Sequence, residues 1–321
     1  MKDFEGKIAV ITGGGTGMGR ELARQLARDG CHVAVCDISV ENMEETQALC
    51  RKESPEGTRF SLFQADVSQE DQVMAFRDHV ASSLETSHIN LLFNNAGVGG
   101  GGSFIDGERE EWDLTFGVCW GGVYNGSRAF VPMLVASEEG HLINTSSVNG
   151  MWASLGPQMA HTAYSSAKFA VKGFTEALVN DFKLHAPHVG VSLVMPGHVG
   201  TSIVINSGRF LGQDPKEMTD QDLDKVRERL ITMGMPVENV PNEMIRMGII
   251  QRGQDFRDKA PLTAADAATI ILDGVRARKW RILVGHDAEV IDRMVRETPE
   301  EAYGTEFMER LLAETQWDLA G

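Results

Sequence analysis

Several features that mark whole protein classes are scarce in this chain. Its 321 residues include four cysteines, Cys31, Cys36, Cys50 and Cys119, with no C-x-x-C pair and no Cys/His spacing suited to a metal. Cys31 and Cys36 fall on one expected strand with opposite side-chain parity, which does not suit a disulfide, so a reduced, cytoplasmic setting is the default. Long apolar runs are missing too: Ile8-Ala9-Val10-Ile11 is strand-sized, well short of the ~20 residues that cross a bilayer. The opening stretch Met1-Lys2-Asp3-Phe4-Glu5-Gly6 has no apolar core of a secretory leader and reads straight into a strand. Basic residues are in deficit, 30 Lys and Arg against 46 Asp and Glu, for a formal net charge of −16. That balance argues against nucleic acid or an anionic membrane as partner. No internal repeat, low-complexity tract or linker marks a second domain, so the expectation is one domain over 1–321.

What is present is a series of strand-sized apolar runs alternating with helical periodicity. Lys7 to Thr12 reads as a buried strand, and Thr12-Gly13-Gly14-Gly15-Thr16-Gly17-Met18-Gly19 follows it directly into a helix over Arg20 to Asp29. A strand, a glycine-rich turn and a helix start together make a phosphate-binding geometry, since glycines let the backbone approach a pyrophosphate and free N–H groups face its charge. Gly13, Thr16, Gly17, Met18 and Gly19 are therefore candidate cofactor contacts. The second strand, Cys31 to Asp37, ends in an acid 18 residues beyond Gly19, where such folds hold the adenosine ribose hydroxyls. A carboxylate there repels a 2′-phosphate, no Lys or Arg adjoins it, and NAD is favoured over NADP. The plainer alternative is an exposed acid capping the helix that begins near Ser39.

The helix Ser39 to Lys52 and the strand Arg59 to Gln64 come next. The closing residues Ala65-Asp66-Val67-Ser68 offer Asp66 and Val67 to an adenine and Ser68 as a cap for the following helix. Ile89 to Phe93 forms the fourth strand, and Asn94-Asn95-Ala96-Gly97 then lines the crevice at the strand ends, with an Asn amide tying neighbouring strands together. Four consecutive glycines, Gly99 to Gly102, mark a mobile loop, and Glu108 to Leu134 reads as one long helix. The fifth strand, His141 to Thr145, delivers Ser146 and Ser147 to the same edge. On the helix Thr162 to His185, Tyr164 and Lys168 sit four positions apart and share a face. A phenol with a pKa near ~10 beside an ammonium is a pair that can exchange a proton with a substrate hydroxyl. The sixth strand, Val191 to Met195, leads to Pro196-Gly197-His198-Val199-Gly200-Thr201, a turn placed for a nicotinamide, with the Thr201 hydroxyl within reach of its carboxamide. Residues 202–261 hold no strand-like run. They carry Met218, Met233, Met235, Met244 and Met247, which reads either as a lid over an apolar pocket or as one or two surface helices. A further helix starts at Leu262, a seventh strand spans Trp280 to Val284, and an acidic helical extension fills about 286–321.

Taken together, the Thr12-to-Gly19 turn, Asp66, Asn94-to-Gly97, Ser147 with Tyr164 and Lys168, and Pro196-to-Thr201 resemble the short-chain dehydrogenase/reductase family. The likeness spans about residues 5–201 and again 262–285. It implies an α/β, Rossmann-type doubly wound parallel sheet of about seven strands that binds NAD(P) across its switch point. By the same resemblance, Tyr164 is the acid/base, Lys168 binds the nicotinamide ribose and lowers the tyrosine pKa, and Ser147 rather than Ser146 holds the substrate oxygen. Gly13, Thr16 to Gly19, Asp37, Asp66, Val67, Asn95, Ala96, Gly97, Tyr164, Lys168, Pro196, Gly197, Val199 and Thr201 would line the cofactor site, with no metal.

Two features depart from the family pattern. Ser147 precedes Tyr164 by 17 residues, four more than usual, which enlarges the stretch 151–162 and makes Trp152 and His161 candidate substrate contacts. The family's helix asparagine, which holds a relay water, is replaced by Cys119, a poor hydrogen-bond partner. A backbone carbonyl near Cys119 is then the expected water ligand. The implied function is an NAD-dependent oxidoreductase interconverting a secondary alcohol and a ketone, on a bulky apolar or aromatic substrate. The weakest strand of the resemblance, in 202–261 and the extension, points to benzylic alcohols of lignin-derived compounds. The alternatives are an epimerase or dehydratase that retains NAD, and a non-catalytic NAD-binding regulator. Pairing through Glu108–Leu134 and Thr162–His185 implies a homodimer or homotetramer.

Overall fold

Alternating apolar strands and amphipathic helices leave one economical packing, a parallel sheet with helices on both faces. The computed structural model describes residues 1–156 and 159–315 and shows that arrangement. Strands β1 (Ile8–Thr12), β2 (His32–Asp37), β3 (Phe60–Gln64), β4 (Leu91–Asn94), β5 (Gly140–Thr145), β6 (Val189–Pro196) and β9 (Arg281–Val284) form a seven-stranded sheet in the order β3-β2-β1-β4-β5-β6-β9. Every pairing is parallel. The order reverses between β1 and β4, and a crevice opens there beyond the strand C-termini.

Strand alternation divides the core. Ala9, Ile11, Val33 and Val35 pack on one face against α1 (Gly17–Arg28) and α10 (Ala264–Arg276). Val10, Ala34, Cys36 and Leu92 face the other way, toward α3 (Glu70–Ser83), α5 (Gly122–Val135) and α6 (Thr162–His185). On the edge beside β3, α2 (Val40–Glu53) is capped by the Ser39 side chain, which accepts from the Asn42 amide at 3.3 Å. Ser68 does not cap α3 as expected; Gln69 holds the cap position, and Ser68 accepts from its side-chain amide instead.

The expected single helix 108–134 is interrupted. The helix α4 (Arg109–Phe116) widens into a π turn over Gly117–Gly121 before continuing as α5. A π turn inserts one extra residue into the helical register, so the consecutive residues Val118 and Cys119 are both buried. Between Ser202 and Pro261 lie three helices rather than one or two: α7 (Ile203–Phe210), α8 (Asp220–Thr232) and α9 (Asn242–Asp258). Met235, Met244 and Met247 are exposed there, so the methionines do not converge on a pocket. A short parallel pair, β7 (Val199–Gly200) with β8 (Leu262–Thr263), ties the end of the β6 turn to the start of α10.

The C-terminal extension folds back on its own chain. Helices α11 (His286–Glu297) and α12 (Thr305–Glu314) place Ile291, Met294, Phe307 and Leu311 in a core shared with Val148, Trp152 and Val171. Residues 316–321, part of the expected extension, and Pro157 and Gln158 lie outside the described residues.

Candidate active site

The crevice at the sheet's switch point is a cavity of about 390 Å³. Its floor is the β1–α1 turn. Gly13 adopts φ +67°, and a side chain there would place its Cβ 2.8 Å from the Ala96 backbone. Met18 and the glycine at 17 follow, at a helix start whose Thr16 side chain makes no capping bond. The first amides of α1 thus have no side-chain acceptor, which suits a bound anion. Arg20 fixes the turn from behind, donating to the Gly15 carbonyl at 2.7 and 3.0 Å. Gly19 lies beneath the turn against the Gly13 carbonyl and does not line the cavity.

The side walls come from the ends of β2, β3 and β4. Asp37 accepts from the Gly15 amide at 2.9 Å and the Ser39 amide at 3.1 Å, which fixes its carboxylate on the wall. Asp66 accepts from the Ser68 amide at 2.9 Å and lines the cavity with Val67. Asn95 donates its side-chain amide to the Thr12 carbonyl at 3.2 Å, and the Thr12 hydroxyl accepts from the Asn95 and Ala96 amides at 3.0 Å each. Those bonds hold Ala96 and Gly97 on the wall, as the strand-tying role of an Asn amide requires. The glycine run 99–102, expected to be mobile, is tied down: the Gly99 amide donates to Ser207 at 2.7 Å, the Gly101 amide to Glu111 at 2.9 Å, and the Gly101 carbonyl accepts from Ala163 at 3.0 Å.

At the far end of the same wall stand the chemical groups. A Cβ built on Gly97 would lie 3.6 Å from Lys168 Nζ and 3.8 Å from Cys119 Sγ. Lys168 donates to the Thr145 carbonyl at 3.0 Å, and its Nζ sits 5.4 Å from the Tyr164 ring centre. Ser147 accepts from the Asn149 amide at 3.1 Å and hydrogen-bonds the Tyr164 oxygen in the sense that favours the phenolate. Ser146 points the other way and donates to the Lys168 carbonyl at 2.8 Å. Burial pushes the Tyr164 phenol above its usual range, with the neighbouring Cys119 thiol adding to the rise and the Ser147 bond opposing it. Burial also pushes the Lys168 ammonium down. The expected lowering of the tyrosine pKa belongs to Lys168 acting together with the cofactor's positive charge, and burial of the phenol works against it. The Cys119 thiol donates to the Val98 carbonyl at 3.2 Å.

Pro196, Gly197 and Val199 of the β6 turn, like Ser147, Tyr164 and Lys168, lie outside the lining of the 390 Å³ cavity; Gly197 packs on Asp287, Pro196 pairs with Val284 and Val199 with Leu262. Thr201 does line it and packs against Gly17. Trp152 is no substrate contact: it is 1% exposed and its ring packs at a tilt against Phe307. His161 does reach the site, its ring 4.7 Å from that of Tyr164, and burial lowers its pKa to about 4, so it is neutral there. The sequence reading missed α7, whose Ile203, Asn206 and Phe210 line the cavity, with Asn206 donating to the Thr16 hydroxyl at 3.2 Å. Their i, i+3, i+7 spacing marks one helix face, a signal visible in the sequence but shared by many surface helices.

Known proteins agree with this geometry. A family model described as short chain dehydrogenase matches residues 7–211. The protein SadH of Mycobacterium tuberculosis, provisionally named an oxidoreductase, is 31% identical over 296 residues, covering 92% of each chain. A short-chain dehydrogenase/reductase from Burkholderia phymatum, crystallised in complex with NAD, is 30% identical with a TM-score of 0.72, over 94% of this chain and 96% of that one. A metagenomic short-chain oxidoreductase in complex with NADP is 31% identical with a TM-score of 0.53, over 60% and 83%. The turn, the crevice and the Ser-Tyr-Lys cluster together with these matches show that the chain belongs to the short-chain dehydrogenase family, as an oxidoreductase built to bind a nicotinamide cofactor.

Proposed function

We propose that this oxidoreductase interconverts a secondary alcohol and a ketone with NAD as the hydride carrier. The observation that carries the reading is a cluster of three groups: Ser147 hydrogen-bonded to Tyr164, and Lys168 beside the same ring, at the end of the cofactor crevice. The α1 amides, Asp37, Asp66 and Ala96 to Gly97 would hold the dinucleotide, which supplies the hydride acceptor when bound. Ser147, already accepting from Asn149, donates to the substrate oxygen. Tyr164 takes the hydroxyl proton in oxidation and returns it in reduction. Lys168, fixed by Thr145, holds a positive charge near the phenol and the cofactor ribose.

Val98, Val118, Ile203 and Phe210 give the crevice an apolar flank, and Arg209 on its rim is paired with Asp214 at 3.2 Å. A bulky apolar or aromatic alcohol is the proposed substrate, since Arg209, the one cationic group lining this crevice among the described residues, is already paired and is not available to hold a substrate carboxylate. Asp37 supports NAD: it stands fixed on the wall where a 2′-phosphate would meet its charge, and Arg20 beside it is engaged with Gly15 and Glu45. A panel of secondary alcohols and ketones assayed in parallel with NAD(H) and NADP(H) is expected to show turnover with at least about a tenfold preference for NAD, and Asp37→Ser to narrow that preference about tenfold. Turnover of no alcohol or ketone sinks the reaction class, and an unchanged cofactor ratio in Asp37→Ser sinks the role of Asp37.

A dimer or tetramer is also proposed. Leu114 of α4, Tyr124 of α5 and Phe169 of α6 are exposed around the Trp120–Phe174 ring contact, on helices packed side by side. Light scattering is expected to give a multiple of 35.1 kDa, and a single monomeric species contradicts the assignment.

A further inference from the structure

The C-terminal extension reaches the site at one point. From the second position of α11, the Asp287 side chain turns under the loop that follows β6. One carboxylate oxygen accepts from the His198 amide at 2.6 Å, and the other from its neighbour Ala288 at 2.9 Å. A Cβ on Gly197 would stand 2.2 Å from both oxygens, so only a glycine lets the carboxylate press against the turn. The same turn runs on to Thr201, which lines the cofactor crevice. Asp287 is 5% exposed, and no Lys or Arg pairs with it among the described residues. The titratable group facing it is His198, whose Nε2 donates to the Phe256 carbonyl at 2.8 Å.

A helix cap alone does not require this geometry, because one oxygen leaves its own helix to bind a loop amide. A buried carboxylate without a cation raises the question of what balances it. Burial pushes its pKa up, and the two amides and the helix start oppose that rise by favouring the charged form. We propose that Asp287 is a positioning residue that fixes the Pro196–His198 turn and biases cofactor binding toward the oxidised, positively charged nicotinamide over the neutral reduced form. The inference rests on the nicotinamide reading of the crevice given above. The turn lies between the Ser147 end of β5 and the crevice, since the Ser146 amide donates to the Val194 carbonyl at 2.8 Å and Thr201 lines the cavity, so the charge acts through the backbone of Gly197.

The test is a pair of equilibrium measurements, not turnover. Dissociation constants for the oxidised and reduced cofactor are measured by calorimetry and nucleotide fluorescence on wild type, Asp287→Asn and Gly197→Ala. A loosened turn weakens both forms alike, whereas loss of the charge weakens the oxidised form selectively. Asp287→Asn is expected to raise the ratio of oxidised to reduced Kd by about three- to tenfold. Gly197→Ala, which pushes the carboxylate from the turn but keeps the charge, is expected to weaken both forms with the ratio within about twofold of wild type. Asp287→Ser, which keeps a small acceptor but no charge, serves the same purpose if the asparagine variant does not fold. A ratio unmoved in the uncharged variants overturns the proposal, even where both affinities fall. Failure of the wild type to bind either NAD(H) or NADP(H) overturns the nicotinamide reading and this inference with it. Binding of NADP(H) alone leaves the test intact, read with that pair.

Discussion

Tyr164→Phe is expected to lower kcat on the order of 10³-fold while leaving the fold and nucleotide binding intact. The substitution deletes one oxygen and keeps the ring, which is held by the His161 ring at 4.7 Å and by the Lys168 ammonium at 5.4 Å. Among the described residues that hydroxyl bonds the Ser147 side chain and no backbone group. A loss confined to kcat, with an unchanged melting curve and unchanged cofactor affinity, therefore isolates proton transfer from structure. The pH dependence sharpens the test. Burial raises the phenol, so the phenolate that accepts the substrate proton is the minor form at neutral pH. Alcohol oxidation by the wild type should accelerate as pH rises toward the tyrosine pKa, and ketone reduction, which needs the phenol, should slow over the same range. Tyr164→Phe should lose both slopes. Residual activity above about a tenth of wild type, with the slopes retained, would show that another group moves the proton.

The legible and illegible parts of this chain separate along a physical line. The strands β1 to β6 were readable because each is a short apolar run closed by glycine, asparagine or an acid, and the parallel order follows from the helices between them. The β1–α1 turn was readable because its glycines are demanded by backbone geometry, as Gly13 shows with its positive φ and its approach to Ala96. Contacts between distant segments were not readable. Ser146 and Ser147 are equivalent in composition, and the structure separates them because adjacent residues face opposite ways, one toward the Lys168 carbonyl and one toward Tyr164. The burial that raises the Tyr164 phenol is illegible for the same reason. A helical spacing reveals a neighbouring charge, but only the packed fold reveals how far both groups are withdrawn from water. Helix α7 carries no motif at all, and its place over the crevice follows from the single bonds Asn206 to Thr16 and Gly99 to Ser207.

The lengthened stretch before Tyr164 leads to the second large effect, Trp152→Ala. The indole is 1% exposed, packs at a 38° tilt against Phe307 with ring centres 5.5 Å apart, and donates its N–H to the Ala302 carbonyl at 2.6 Å, 150 residues away in sequence. Its own carbonyl accepts from the Asn149 side chain at 3.0 Å, and Asn149 also donates to Ser154 at 2.8 Å. Trp152 is thus the peg that joins the C-terminal helices to the loop bearing Ser147. Truncating it removes a fully buried aromatic, opens a cavity beside Phe307 and leaves the Ala302 carbonyl without its donor. The expected cost is about 3–5 kcal/mol of stability. Trp152→Phe keeps the ring contact and loses the N–H donor, so its cost should be only about 1–2 kcal/mol. Denaturant midpoints and inactivation half-lives of the two variants test the ordering, and equal losses would contradict the packing role. The kinetic consequence distinguishes a peg from a distant core residue. Because the Asn149 backbone amide also donates to Ser147, loosening this loop should raise KM for the alcohol in whatever fraction stays folded, more than KM for the nucleotide, whose proposed crevice runs from Gly97 toward Gly13.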